Sequence, residues 1–309
     1  MPLTRPGDHT LPDSHEPVSW GGMSTANIAT QKVIPAMYTS ELSRVAAIAS
    51  RSMDTASEAA KSAGIPTAYG SYEQLLADPE IEAVYIPLPN HLHVEWVIKA
   101  AEAGKHILCE KPLAMTAHDA VDMVRASQQA GVLLMEAFMY RRHPMWQKVM
   151  DLIDSRAIGE VRAMHTVFAY FNDDPRNIRN IPEFGGGALF DIGCYAVNAS
   201  RMVFGSEPEV VGAAVRRDPG LGTDVVTSAL LDFQGHHATL ICSTQMEDDQ
   251  RVDILGSEGR IVVEIPFNIP PDRATRVLVM AGGDPPVEPA VEVHEVTPVD
   301  QYAIQADAF

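Results

Sequence analysis

The feature that most constrains this chain is an alternation repeated through its first half. Short apolar runs rich in Val, Ile and Ala each lead into a longer amphipathic stretch. VSWGGM precedes STANIATQKVIPAM, RVAAIAS precedes DTASEAAKSAG, EAVYIPL precedes HVEWVIKAAEAG, HILCE precedes AHDAVDMVRASQQAG, and VLLMEAF follows. Short unbroken apolar runs suit strands buried on both faces, as in a parallel sheet covered by helices. The pattern predicts βα units on a doubly wound parallel sheet. Gly64, Gly104 and Gly131 fall where helices would end in a left-handed residue. This first domain is placed over residues 18–138, behind a proline-rich tail over 1–17 that is expected to be disordered.

Past residue 138 the period changes. A helix near Met145–Ser155 precedes VRAMHTVFAYF, which alternates with period two, and GGGA precedes a helix ending near Gly205. EVVGAAVRR, DVVTSALLDF, HHATLICSTQ, RVDILG, GRIVVEI, TRVLVMA and AVEVHEV then follow, separated by Gly, Pro and Asp turns. These read as an antiparallel meander. The expected architecture is α/β: an N-terminal Rossmann-type parallel sheet, then an α+β domain over 139–309 on a large, mostly antiparallel open sheet. Such a sheet leaves one face to be covered, and a homodimer or homotetramer through the C-terminal sheet covers it.

Charge narrows the partners. Lys plus Arg is 23 against 41 Asp plus Glu, a formal net charge of −18. A surface so acidic repels nucleic acid and anionic membranes, which need basic patches. Cys109, Cys194 and Cys242 are too few and too far apart for a disulfide framework or a zinc knuckle, so no metal is expected. The N-terminus has no apolar run of signal-peptide type, and no stretch nears the roughly 18 apolar residues of a membrane helix. A reducing cytoplasm is the expectation.

Four places carry candidate chemistry. The first βα turn, WGGMSTANIA, lies where a dinucleotide pyrophosphate meets a helix N-terminus, but the glycine register falls on Ser24, Ala26 and Ala29. A ligand-free strand–helix turn is the alternative. At the end of the second strand stand Ser50 and Arg51, not an acidic residue. A hydroxyl and a guanidinium suit a 2′-phosphate, favouring NADP with NAD as the other possibility; the alternative is a solvated arginine. IPLPNHLHVEW and CEKPLA end later strands, at the rim where open α/β sheets bind ligands. There Asn90 and His93 would face the nicotinamide side, or a histidine would cap the next helix; a metal would need ligands that are not nearby. In GGGALFDIGCYAVNASRMVFG, Asp191, Tyr195 and Asn198 share one helix face, opposite Leu189, Ala196 and Val203. A phenol needs a cationic neighbour to act near neutrality, and Lys111, at a strand end before Pro112, is the candidate.

STANIATQKVIPAM, ASR, YGSYEQLLADPEIEAVYIPLPNHLHVEWVIKAAEAGKHILCEKPLAM, MEAFMYRRHP and GGGALFDIGCYAVNASRMVFG together resemble the Gfo/Idh/MocA oxidoreductases (glucose–fructose oxidoreductase and inositol dehydrogenase like). Within that family the chain is similar to the branch of NADP-dependent D-xylose dehydrogenases and dimeric dihydrodiol dehydrogenases. The resemblance implies Lys111, Tyr195 and Asp191 as the catalytic set. It implies Ser24, Thr25, Ala26, Asn27, Ile28, Ser50, Arg51, Pro87, Leu88, Asn90, His93, Glu110, Lys111 and Arg141 as cofactor-binding positions. Asn172, Arg176 and Arg179, in the loop FNDDPRNIRNIPEF, would line a polyol pocket or be solvated loop charges. Relatives continue past QYAIQADAF, so C-terminal helices are expected to be missing.

The implied activity is hydride transfer between NADP and a CH–OH group of a sugar or polyol, such as C1 of D-xylose, giving a lactone. The alternatives are trans-dihydrodiol oxidation, reduction of a keto-sugar, or a non-catalytic dinucleotide-binding regulator of the same fold.

Overall fold

The computed structural model describes residues 16–281 and 290–309, so all but the last two residues of the expected 1–17 tail lie outside the described residues. The chain divides into two compact units, residues 16–139 with 302–309 and residues 140–301.

The first unit is a parallel sheet of β1 (Val18–Gly22), β2 (Ser43–Ala49), β3 (Thr67–Tyr69), β4 (Ala83–Ile86), β5 (His106–Cys109) and β6 (Leu134–Glu136). Their order is β3-β2-β1-β4-β5-β6. The order reverses at β1, which lies between β2 and β4, and ligands of such sheets bind beyond the strand C-termini at that reversal. Hydrophobic clusters built on Val84, Ile107 and Val97, and on Ile48, Tyr85 and Leu108, form its core. Gly64, Gly104 and Gly131 all have positive φ after the helices they close.

The end of the chain departs from expectation. Residues Gln301–Asp307 form a helix, and residues 302–309 belong to the first unit, not to the second domain. Ala306 is buried in the cluster around Trp20, Val33 and Ile48, and Phe309 lies 4.9 Å from the Trp20 ring. The Ser40 hydroxyl donates to the Asp307 carboxylate. The physical reason is the apolar spacing of Tyr302, Ala306 and Phe309, which gives this short segment a face to bury.

The second unit holds β7 (Val161–Phe171), β8 (Glu209–Arg217), β9 (Asp224–Phe233), β10 (His236–Ser243), β11 (Gln245–Gly256), β12 (Gly259–Val263), β13 (Thr275–Ala281) and β14 (Ala290–Val296). Among the described residues they form one sheet in the order β14-β13-β12-β11-β7-β10-β9-β8. The sheet is not a simple meander. β7 sits between β11 and β10 and runs parallel to β10, from Ala163 opposite His237 to Ala169 opposite Ser243. A parallel neighbour needs a long connection, and residues 172–235 supply it: the helix Cys194–Phe204 crosses to β8, and β8 and β9 return to β10. One face of the sheet buries Met164, Phe168, Leu240, Val252 and Ile254, whereas β8 is exposed along its whole length, Val210 at 69% and Val211 at 61%.

Candidate active site

Each unit carries one part of the predicted site. In the first unit, the turn after β1 runs through Met23, whose backbone N–H donates to the Tyr85 carbonyl at 2.9 Å. The Ser24 hydroxyl accepts from the Ala26 N–H at 3.0 Å and shapes the turn. A helix begins at Asn27 and continues through a π-helical turn, Ala29–Val33, to Met37. Ser24, Thr25, Ala26, Asn27 and Ile28 therefore occupy a helix N-terminus at the strand-order reversal. Ser50 follows β2 directly, tied by its N–H to the Tyr69 carbonyl at 3.1 Å, and Arg51 beside it is exposed. No carboxylate stands at Ser50 or Arg51 to repel a phosphate, so this donor set fits a dinucleotide bearing a 2′-phosphate.

The loop that carries Lys111 is anchored at several points. Tyr85 of β4 donates from its hydroxyl to Glu110 Oε1 at 2.7 Å, and Glu110 Oε2 accepts from the Lys111 N–H at 3.2 Å. Beyond the cis Lys111–Pro112 bond, the Leu113 N–H donates to Glu136 Oε1 at 2.8 Å. Burial and the Glu110 carboxylate push the Tyr85 phenol well up, so it stays a donor. Pro87 and Leu88 are buried and Asn90 is partly exposed in the adjoining loop after β4.

His93 needs correcting. It is fully buried, with Nδ1 2.9 Å from the Pro112 carbonyl oxygen and Nε2 2.8 Å from that of Leu88. Both nitrogens are committed to backbone, so it offers no atom to a cofactor, and it does not cap the helix. Among the described residues no group of His, Cys, Asp and Glu is placed to hold a metal ion. Cys109 and Cys242 are buried and their thiols pushed up by burial, Cys242 to about 12, so they are inert.

In the second unit a glycine run precedes the helix that carries the candidate residues. Gly185 and Gly187 have positive φ, at 76° and 118°. A Cβ on Gly186 would lie 2.5 Å from the Arg179 carbonyl oxygen, and one on Gly187 2.0 Å from Asp224 Oδ1. Only glycine lets the Arg179 backbone approach Gly186, and the Asp224 carboxylate approach Gly187, so closely. The run delivers a π-helical turn, Leu189–Gly193, that continues into the helix Cys194–Phe204. Such turns recur at functional sites.

On this helix Asp191, Tyr195 and Asn198 are all buried. Leu189, expected on the packed apolar face, is 41% exposed instead, because it lies in the first turn, ahead of the part that packs. Asp191 accepts from Arg179 Nε at 3.0 Å and from the Tyr170 hydroxyl at 2.5 Å, through different carboxylate oxygens. Burial first, then the Asp191 charge, raises the Tyr170 pKa; Asp191 foremost, with the Tyr170 and Tyr195 phenols, favours the charged Arg179 guanidinium. Tyr195 packs among Tyr140, Phe168 and Phe267, with ring centroids 5.9, 5.5 and 5.2 Å away. Asn198 Oδ1 accepts from the Tyr140 hydroxyl at 2.6 Å and from Arg141 Nη1 at 3.5 Å.

Of the loop candidates, Arg179 is drawn in, whereas Arg176 is 89% exposed at its side chain and pairs with Asp174. Asn172 Oδ1 accepts from Asn180 Nδ2 at 3.0 Å and from the Asp174 N–H at 3.1 Å, shaping the loop. Sequence reasoning missed Tyr140, Tyr170 and Phe267. Tyr170, the last inward alternate of an eleven-residue strand, was the one with a readable signal.

The chain resembles known proteins over both of its units. A family model described as "Oxidoreductase family, NAD-binding Rossmann fold" matches residues 22–138, and one described as "GFO/IDH/MocA C-terminal domain" matches 146–262. An uncharacterised oxidoreductase of Rhizobium meliloti is 48% identical, over 94% of this chain and 87% of its own. The D-xylose 1-dehydrogenase (NADP(+)) 2 of Haloferax volcanii is 39% identical over the same shares. A solved 3-ketoreductase from Actinomadura kijaniata, in complex with NADP and TDP-benzene, superposes with a TM-score of 0.88 at 33% identity, covering 94% of this chain and 88% of that one. Solved variants of that ketoreductase replace a lysine and, 84 positions later, a tyrosine.

Proposed function

The chain belongs to the Gfo/Idh/MocA oxidoreductase family, and from that premise we propose that it is an NADP-dependent dehydrogenase acting at C1 of an aldopentose such as D-xylose, giving a lactone. One observation carries the choice of residues. Lys111 and Tyr195 are 84 positions apart, the separation of the lysine and tyrosine replaced in the related ketoreductase.

The turn Ser24–Ile28 would hold the pyrophosphate, and Ser50 with Arg51 the 2′-phosphate. Bound NADP supplies the acceptor for the hydrogen that leaves the carbon as hydride. In the proposed reaction Tyr195 takes the hydroxyl proton, and the Lys111 ammonium binds that hydroxyl and favours its ionised form. The aromatic walls of Tyr140, Phe168 and Phe267 exclude water from the Tyr195 ring and hold it in one rotamer. Asp191, engaged by Arg179 and Tyr170, anchors the helix that bears Tyr195.

Tyr195→Phe and Lys111→Ala, assayed with NADP and a panel of aldoses, test the roles. Loss of acid–base chemistry costs roughly 10²–10⁴-fold in turnover; near-wild-type turnover in both variants would sink the assignment. The similarity to a 3-ketoreductase favours a second reading, reduction of a keto-sugar by the same residues. Turnover only with NADPH and a keto-sugar selects it. Association through the exposed face around Val210, Val211 and Val215 completes the proposal. Sedimentation that returns a monomer at micromolar concentration contradicts that part.

A further inference from the structure

His93 opens the helix His93–Glu102, and its ring is wholly buried. Burying an imidazole costs free energy that an apolar side chain in the same space would not cost. The two carbonyl oxygens beside its ring nitrogens belong to two different loops, and the ring donates to one of them when neutral and to both as the imidazolium. Leu88 lies in the loop that leaves β4, and Pro112 in the loop that leaves β5. Pro87, Pro89 and Pro112 have no N–H, so both loops are poor in the backbone donors that would otherwise tie them together. The other anchors of the Lys111 loop include the Glu110 N–H, which donates to the Ile86 carbonyl at 3.0 Å, the Glu110 carboxylate, the Lys111 N–H and the Leu113 N–H. Pro112 itself is held through its carbonyl by His93.

We propose that His93 is a positioning residue: it clamps the loop after β5 to the loop after β4 and so fixes the backbone from which Lys111 projects. The inference rests on the reading of Lys111 as a residue of the reaction. It requires no contact between His93 and substrate or cofactor, in keeping with its complete burial.

The test is a double-mutant cycle on the intact chain, with NADP and the aldose that the wild type oxidises fastest. His93→Phe keeps a ring of similar size and removes both ring nitrogens, and with them every hydrogen bond from the ring. His93→Gln keeps an amide that donates two. Expected are a fall in kcat of about tenfold to a hundredfold for His93→Phe and substantial recovery in His93→Gln, as for a displaced acid–base partner. NADPH affinity, followed by fluorescence, stays within about threefold in both. In a Lys111→Met background, His93→Phe costs less than about twofold more, because the residue it positions is gone. Equal fold losses with and without Lys111, or an unaltered kcat in His93→Phe, overturn the role of His93 and leave the Lys111 reading standing. Wild-type turnover in Lys111→Met overturns the Lys111 reading itself. If His93→Phe does not fold, His93→Gln and His93→Asn run through the same cycle.

Discussion

Asp191→Ala is expected to loosen the second domain by a measurable amount. The substitution removes the acceptor of two donors at once, Arg179 Nε at 3.0 Å and the Tyr170 hydroxyl at 2.5 Å. Breaking a fully buried pair by deleting one partner costs about 3–5 kcal/mol. That range is too high here, because the Arg179 side chain is 44% exposed and water screens the stranded cation. The arginine then contributes about 1 kcal/mol, and the stranded hydroxyl of Tyr170 another 1–2 kcal/mol. The expected loss is about 2–3 kcal/mol, which in a domain of this size lowers the melting temperature by about 4–12 °C. Scanning calorimetry of the wild type, Asp191→Ala and Tyr170→Phe reads it. Tyr170→Phe leaves the arginine paired and should lose about 1 kcal/mol. If Asp191→Ala melts within a degree of the wild type, or no lower than Tyr170→Phe, the carboxylate does not hold these two partners together.

Three further outcomes are expected. Gly186→Ala and Gly187→Ala should strongly reduce the yield of folded protein, since each Cβ lands within 2.5 Å of another atom, whereas Gly212→Ala, with nothing within 4 Å, should keep the wild-type denaturation midpoint. Arg51→Ala should raise the KM for NADP about tenfold or more, the worth of a charge-assisted hydrogen bond, and barely alter that for NAD; equal changes would contradict the 2′-phosphate assignment. Stability should fall as pH drops below about 6.5. His143 is buried, its Nδ1 accepts from the Met145 N–H at 3.1 Å, and burial holds its pKa down. Below the unfolded pKa the unfolded chain binds the proton more readily, so this contribution is complete above that pH and is lost as pH falls toward the folded value. Urea midpoints at pH 7.5 and 5.5 should differ less in His143→Asn than in the wild type.

Much of this was legible in the residues. The βα alternation located five of the six strands of the first sheet, missing the three-residue Thr67–Tyr69, and Gly64, Gly104 and Gly131 marked the helix ends, because both signals are local. The spacing of Asp191, Tyr195 and Asn198 placed three buried polar groups on one helix. What was not legible depends on partners distant in the chain. The parallel pairing of β7 with β10 depends on how a crossover packs, which no alternation records. The engagement of Arg179 by Asp191 needs Gly186 and Gly187 to bring two backbones together. His93 was read as a ligand-facing residue because NHLH sits at a sheet rim; its two backbone partners, 5 and 19 positions away, were not visible in the pattern.

The last helix has a consequence for how the chain is made. The strands of the first sheet are all complete by Glu136, yet part of what closes their core, Ala306 with Tyr302 and Phe309, is made only after every strand of the second sheet. Folding units usually complete in the order in which they emerge. Here the order inverts: the second domain can finish while the first is still waiting for its cover. Released chains cut after residue 300 should therefore show a first domain more open to protease than the second, and the difference should vanish in chains that run through Phe309.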